Sequence, residues 1–160
     1  MIKENALAPT FTLQGIDAQG AEQPYSLENL LEGKEFLVIY FYPKDSTPGC
    51  TTEACDFRDN LARIQPYAAV VGISPDSVAS HLRFQENQNL NFPLLCDPEH
   101  SMMESYQAWG EKKLYGKISI GTIRSTVIIK ADGTVLKHWK RVQVKGHVDK
   151  VIEAIDQART

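Results

Sequence analysis

Three apolar runs dominate the chain, and their lengths and spacing predict its elements. The first, "EFLVIYF" (Glu35–Phe41), is nearly all apolar and rich in β-formers, the pattern of a strand buried on both faces. "AAVVGIS" (Ala68–Ser74) repeats it, and "FPLLCDP" predicts a third, shorter strand. Between the first two runs the period becomes helical, from about Cys50 to Ile64, with Leu61 and Ile64 on one face and Pro66 enforcing a stop. "SPDSVASHLRFQENQ" predicts a second crossover helix, with Ser74 and Pro75 at its entry. Ser101–Tyr106 predicts a short helix, and the glycine-punctuated residues 107–123 predict irregular chain. "RSTVIIKADGTVLKHW" reads as a hairpin turned at Asp132-Gly133. Val148, Val151, Ile152 and Ile155 recur at i, i+3, i+4 and i+7, an amphipathic C-terminal helix. Ahead of the first buried run, Phe11–Leu13 and Gln23–Ser26 flank a polar turn and predict an N-terminal β-hairpin. The short helix of "SLENLLEG" follows, with Ser26 as its cap.

Alternating strands and crossover helices, then a hairpin and a helix, predict an α/β fold with a central mixed β-sheet flanked by helices. A chain of 160 residues is expected to form a single domain over residues 1–160. The net charge of -3 offers no reason to invoke nucleic acid or an anionic membrane as partner. No apolar stretch resembles a signal peptide or a membrane span, so the expected location is cytoplasmic.

Cysteine usage changes the picture. The chain has three cysteines, and two of them, Cys50 and Cys55, sit together in "FYPKDSTPGCTTEAC". An apolar strand there runs into a Pro/Gly-rich loop that ends on Cys50 at the expected start of a helix. Unpaired N–H groups and the helix dipole favour an anionic sulfur at such a place. A guanidinium would add to that, and Arg124, at the head of an apolar strand, is the candidate. Three other readings stand beside this one. Cys50 could be a buried apolar group, and Arg124 a solvated strand end. Cys50 and Cys55, with Cys96 or one of His81, His100, His138 and His147, could hold zinc or copper, making the chain a metal-handling protein. A Cys-x-x-Cys reductase motif is absent. Cys55 is open between core thiol, ligand and resolving partner, and Cys96, after Leu94 and Leu95, reads as structural.

The segment "YPKDSTPGCTTEAC" resembles the active-site stretch of the peroxiredoxins, Pro-x-x-x-Thr-x-x-Cys, with Pro43, Thr47 and Cys50 in its three places and Glu53 as the acidic residue after it. "CTTEAC" is similar to the bacterioferritin comigratory protein, or peroxiredoxin Q, subfamily, as are "FPLLCDPEH", "WGEKKLYGK" and "RSTVIIKADG". The resemblance implies a thioredoxin-like fold and thiol-dependent reduction of hydrogen peroxide and organic hydroperoxides, without metal or organic cofactor. It implies Cys50 as the attacking sulfur, Thr47 as the hydroxyl orienting the peroxide, Pro43 as a shield from water, and Arg124 as the ligand of sulfur and peroxide. Cys55 is the family-consistent resolving cysteine, because the helix that carries it in other members, here about Ser77 to Asn87, contains none. Cys96 departs from the serine usual in relatives. The implied partner is thioredoxin or a similar dithiol, and the expected state is a monomer.

Overall fold

The computed structural model describes residues 2–160. Strands β1 (Thr12–Ile16) and β2 (Glu22–Ser26) form the N-terminal hairpin, and helix α1 (Leu27–Leu31) follows, capped by the Ser26 side chain. Then come β3 (Phe36–Phe41), α2 (Pro48–Ile64), β4 (Ala68–Ser74), α3 (Val78–Gln88), β5 (Leu94–Cys96) and α4 (Ser101–Ser105). The chain closes with β6 (Trp109–Leu114), β7 (Lys117–Thr122), β8 (Ser125–Lys130), β9 (Val135–Lys140) and α5 (His147–Arg159).

Seven strands make one mixed sheet in the order β2-β1-β5-β4-β3-β8-β9. The trio β3, β4 and β5 is parallel, as crossover connections through helices require, and the hairpins at both ends add antiparallel strands. Each residue of β3 is buried, and the pleat divides them between two cores. Phe36, Val38 and Tyr40 face the layer that holds Phe57 of α2 and Val151 of α5, while Leu37, Ile39 and Phe41 face Leu30 of α1 and Met102 of α4. Tyr40 is accommodated because its neighbour on β4 is Gly72, where a Cβ would lie 2.8 Å from the ring. The vacated space lets Tyr40 stack on Phe57 with ring centroids 4.7 Å apart, which seats α2 on the sheet.

Two expectations need correction. Residues 107–123 are not irregular: β6 and β7 pair antiparallel from Trp109↔Thr122 to Leu114↔Lys117 as a separate two-stranded ribbon. Tyr115 and Gly116 both have positive φ, the backbone of a tight hairpin turn. The β-branched residues 118, 120 and 122 were the signal, masked because Ile118 and Ile120 point to solvent and so follow no core pattern. Helix α3 does not enter at Ser74-Pro75. Its cap is Ser77, whose Oγ accepts from the Ser80 N–H, while Ser74 still belongs to β4 and donates its hydroxyl to Asp76.

Candidate active site

The site lies at the carboxyl end of β3, where the chain turns through residues 42–47 into α2. Helix α2 starts at Pro48, two residues before the expected point, with Thr47 as its N-cap. Its buried positions are Cys50, Glu53, Ala54, Phe57, Leu61 and Ile64, a stripe at steps of three and four. The stripe that seats Phe57 against Tyr40 therefore turns Cys50 inward as well, leaving it 2% exposed. Cys55 falls off the stripe. It is half-buried on another face of the helix, its Sγ 3.6 Å from Oε1 of Gln88 at the end of α3.

Arg124 reaches this first turn from the head of β8, the neighbour of β3 in the sheet. The antiparallel pairing of β8 with β3 sets Ser125 opposite Phe41, so the residue just before β8 lies beside the loop that leaves β3. Its Nη2 donates to Cys50 Sγ at 3.2 Å and its Nη1 to Glu53 Oε1 at 2.6 Å. The guanidinium passes close over Gly49, where a Cβ would sit in ordinary contact, 3.4 Å from Nη2. Arg124 is thus not a solvated strand end. Glu53 is fully buried, and its second oxygen, Oε2, has no hydrogen-bond partner among the described residues. Burial pushes its carboxyl up to about 7, although Arg124 pulls the other way.

Thr47 donates its hydroxyl to the Lys44 carbonyl at 2.8 Å and makes no capping bond of its own. Its oxygen lone pairs are left to accept. Pro48 has no N–H, and Gly49 and Cys50 occupy first-turn positions whose N–H groups point out of the helix end. Pro43 is half-buried on the same loop, directly after Tyr42. Arg124 meets Cys50, with Thr47 at the cap of the same helix; Cys55 faces elsewhere, and Cys96 is buried on β5.

One polar network escaped the sequence reading. Asp45 is buried in the loop, where Oδ1 accepts from the Tyr42 hydroxyl at 2.6 Å. Its Oδ2 accepts from Ser80 at 2.8 Å and meets His81 Nδ1 at 2.7 Å. The other ring nitrogen of His81 faces the Leu95 carbonyl at 2.8 Å. Both nitrogens face acceptors, so both must donate, and the ring is an imidazolium. Burial opposes that charge, but the hydrogen bond to Asp45, Cys96 nearby and the Asp45 charge outweigh it, and His81 is pushed up to about 10. This pair ties the loop before Cys50 to α3 and β5. A polar residue in a loop and a histidine in a helix gave no sign of each other at a separation of 36 residues.

The four histidines disperse. His81 is in the network, His100 stacks on Trp109 with centroids 3.5 Å apart, and His138 is on β9. His147 is buried at the start of α5 with Nε2 2.8 Å from the Thr126 hydroxyl, and burial holds it down to about 4. Among the described residues no three His, Cys, Asp or Glu side chains are grouped to hold an ion, so the metal-handling alternative loses its ligand set. No helix of the described residues is long and apolar enough to cross a membrane.

The sequence pattern of the AhpC/TSA family matches residues 5–138. Peroxiredoxin Bcp of Bacillus subtilis is 46% identical over 122 residues, 76% of this chain and 78% of that one. A putative peroxiredoxin bcp of Helicobacter pylori is 46% identical over 150 residues, 93% and 95% of the two chains. Among solved structures, the bacterioferritin comigratory protein of Xanthomonas campestris, studied for alkyl peroxide reduction, superposes with a TM-score of 0.80 at 37% identity over 92% of both chains. Peroxidoxin BcpB of Mycobacterium tuberculosis superposes with 0.84 at 31% identity over the full length of both.

Two buried ionisable groups, both held above their ordinary values, lose stabilisation as pH climbs, each in its own interval. The raised His81 value means that its stabilisation is complete below about pH 6.5 and is lost as pH climbs through about 10. The stability gap between wild type and Asp45→Asn, from urea unfolding, should therefore be widest near pH 6 and shrink toward pH 10. At neutral pH Asp45→Ala should cost roughly 3–5 kcal/mol, the usual result of stranding one partner of a buried pair. Glu53 is raised from 4.5 to about 7, so its neutral form is favoured on folding and stability is lost as pH rises through that interval. Glu53→Gln lacks the titration, and its stability relative to wild type should climb by up to about 3 kcal/mol between pH 4.5 and 7.5. A flat difference across that range would show that Glu53 ionises normally beside Arg124.

Proposed function

Because the chain belongs to the AhpC/TSA family, among peroxiredoxins of the Bcp and peroxiredoxin Q type, and is a thiol-dependent peroxidase with the thioredoxin fold, we propose the following residue roles for its cycle. Cys50 is the attacking sulfur. The observation that carries this is the contact of Arg124 Nη2 with Cys50 Sγ at the open end of α2. The sulfur anion attacks one peroxide oxygen in line, the O–O bond breaks, and the departing oxygen leaves as water or alcohol once protonated. Charge grows on that oxygen during the step, so donors aimed at it stabilise the transition state more than the ground state. Arg124 and the first-turn N–H groups are those donors. Thr47, with its own proton spent on Lys44, accepts from the peroxide O–H and so orients it. Pro43 limits water on the loop side.

The product is Cys50 sulfenic acid, which must be captured before further oxidation. Cys55 is the resolving thiol in this reading: it displaces water from the sulfenic acid and forms a disulfide. Cys96 has no part in it. A dithiol, thioredoxin or one like it, then attacks the disulfide and restores both thiols. The balance is one hydroperoxide and one dithiol consumed, with alcohol, water and an oxidised dithiol formed. Such a reductant suits a reducing compartment, the cytoplasm, and the cycle needs only a monomer.

Resolution conflicts with the reduced geometry. Five residues of α-helix separate two Cα atoms by about 8–9 Å on different faces, whereas a disulfide seldom spans more than about 7 Å. Both cysteines lie inside the unbroken helix Pro48–Ile64. Closing the bond therefore requires part of the stretch from Cys50 to Cys55 to unwind. That motion breaks the contact of Arg124 with Cys50 and loosens Glu53 and Ala54, both fully buried.

Cys50→Ser should abolish peroxide consumption, since a serine hydroxyl is neither ionised at neutral pH nor comparably nucleophilic toward oxygen. Arg124→Lys, which keeps the charge but not the forked donor geometry, should lower kcat/KM about 100-fold, a loss on the scale of one transition-state donor. Equal rates in Arg124→Lys and wild type would leave Arg124 a structural partner of Glu53. Intact mass and peptide mapping after one equivalent of peroxide should find Cys50 joined to Cys55 in wild type and in Cys96→Ser. Hydrogen exchange of that disulfide form should show lost amide protection across residues 49–60. A Cys50–Cys96 bond, or unchanged protection, contradicts the assignment of Cys55 or the unwinding.

A further inference from the structure

Disulfide exchange proceeds through direct contact of sulfurs, so the dithiol that reopens the Cys50–Cys55 bond must arrive on a molecule seated against this end of the protein. A docking face is therefore required beside the site. Among the described residues five large apolar side chains stand exposed: Leu7, Leu82, Tyr115, Ile118 and Ile120. Three of the five belong to the β6–β7 ribbon. Tyr115, 95% exposed, occupies its turn, while Ile118 and Ile120, 61% and 71% exposed, alternate along β7 and so share one face of it. Leu7 lies by Thr134, between β8 and β9 and away from the site, and Leu82 is on α3.

The ribbon adjoins the reacting centre. Lys112 and Lys113 of β6 line one cleft with Arg124, whose guanidinium touches Cys50, and Ile118 lines the next cleft with the same two lysines and Arg141. A continuous surface thus runs from the exposed isoleucines to the attacking sulfur. Strands β6 and β7 pair only with each other, so a partner covering them leaves the seven-stranded sheet untouched. The apolar face is set among cations. Lys112, Lys113 and Lys117 stand on the ribbon with Arg141 beside it, against one anion, Glu111. Among the described residues none of those four cations has a carboxylate within ion-pair distance. A second copy of this chain suits the face poorly, because a closed two-fold contact sets a patch against itself and would bring these lysines onto their own copies. A membrane suits it little better. Glu111 sits directly opposite Ile120 on the apolar face, and a chain of net charge -3 is repelled by an anionic leaflet. An apolar centre ringed by uncompensated cations fits a protein with an apolar centre and an acidic rim.

We propose that the β6–β7 ribbon is the surface on which the protein dithiol docks, with Ile118, Ile120 and Tyr115 against apolar surface around the partner's dithiol and Lys112, Lys113 and Lys117 against acidic residues at its rim. The inference rests on the Cys50–Cys55 cycle given above and adds where the reductant binds and which reductants are accepted. The exchange itself balances. A thiolate of the partner attacks one sulfur of the Cys50–Cys55 bond, that S–S bond breaks, and the other sulfur leaves as thiolate. The partner's second thiol then attacks the mixed disulfide, so the partner is oxidised to its own disulfide while Cys50 and Cys55 are reduced and take up its two protons.

The test follows turnover of saturating hydrogen peroxide with two reductants, an acidic thioredoxin and dithiothreitol, a small molecule that needs no docking face. Ile118→Ser combined with Ile120→Ser should lower kcat/KM for thioredoxin about tenfold, with dithiothreitol turnover and Cys50 oxidation within about twofold of wild type. Lys112→Gln with Lys113→Gln should lower it about threefold at about 20 mM salt and hardly at all at about 500 mM, where screening shortens to a few ångströms. Leu82→Ser, on α3, should leave both reductants as they are. The docking face is overturned if the isoleucine pair leaves the thioredoxin rate unchanged, if it slows dithiothreitol equally, or if Leu82→Ser matches its effect. It is overturned as well if wild type dimerises, or sediments with vesicles of mixed anionic and neutral phospholipid, and the isoleucine pair abolishes that association while thioredoxin kinetics hold. Turnover with dithiothreitol but none with thioredoxin overturns the docking face alone. Wild type inert to hydrogen peroxide with both reductants overturns the Cys50 assignment beneath it.

Discussion

One guanidinium organises the reactive end of this molecule. Arg124 divides its donors between the Cys50 sulfur at 3.2 Å and the buried Glu53 carboxyl at 2.6 Å. A cation in that position would be costly to desolvate alone, and Glu53 offsets that cost while fixing the plane of the fork. The arrangement also explains why an acidic residue sits on the buried stripe of α2, where an apolar one would pack better. Glu53 holds Arg124, and Arg124 meets the sulfur.

The partners come from distant parts of the chain, so the interaction depends on the sheet. Arg124 lies 74 residues from Cys50, and the antiparallel register of β8 on β3 brings it home. The helix is aimed by the stacking of Phe57 on Tyr40, which Gly72 permits. On the other side, the Asp45–His81 pair pins the loop that carries Pro43 and Thr47 to α3 and β5. Loop, helix and arginine are thus held by three separate contacts. The anchors of that loop lie outside α2, so the opening of the helix proposed above would leave them in place.

Much of this was legible in the chain. Apolar runs at 35–41 and 68–74 can be buried only inside a two-sided sheet, and helical spacing between them forces a parallel crossover. The Pro/Gly loop ending on Cys50, and the match to the peroxiredoxin stretch, made Cys50 the expected attacking sulfur with Thr47 and Pro43 beside it, because those residues are neighbours in sequence. The β6–β7 ribbon was not legible, since its isoleucines face solvent and a core pattern is what periodicity detects. The Asp45–His81 pair was equally silent, because each residue alone is ordinary.

Local patterns of hydrophobicity and turn chemistry by themselves determined the elements, their order and the place of the thiol, since those depend on residues within a few positions of each other. Only the tertiary structure decided what surrounds that thiol. That Arg124, only a candidate in the sequence, meets it, that a carboxyl at the third position after Cys50 is buried against that cation, and that Cys55 faces away are all consequences of strand register and helix rotation. Those are long-range quantities, set by how side chains 30 to 80 residues apart pack, and no window of the sequence contains both sides of such a contact.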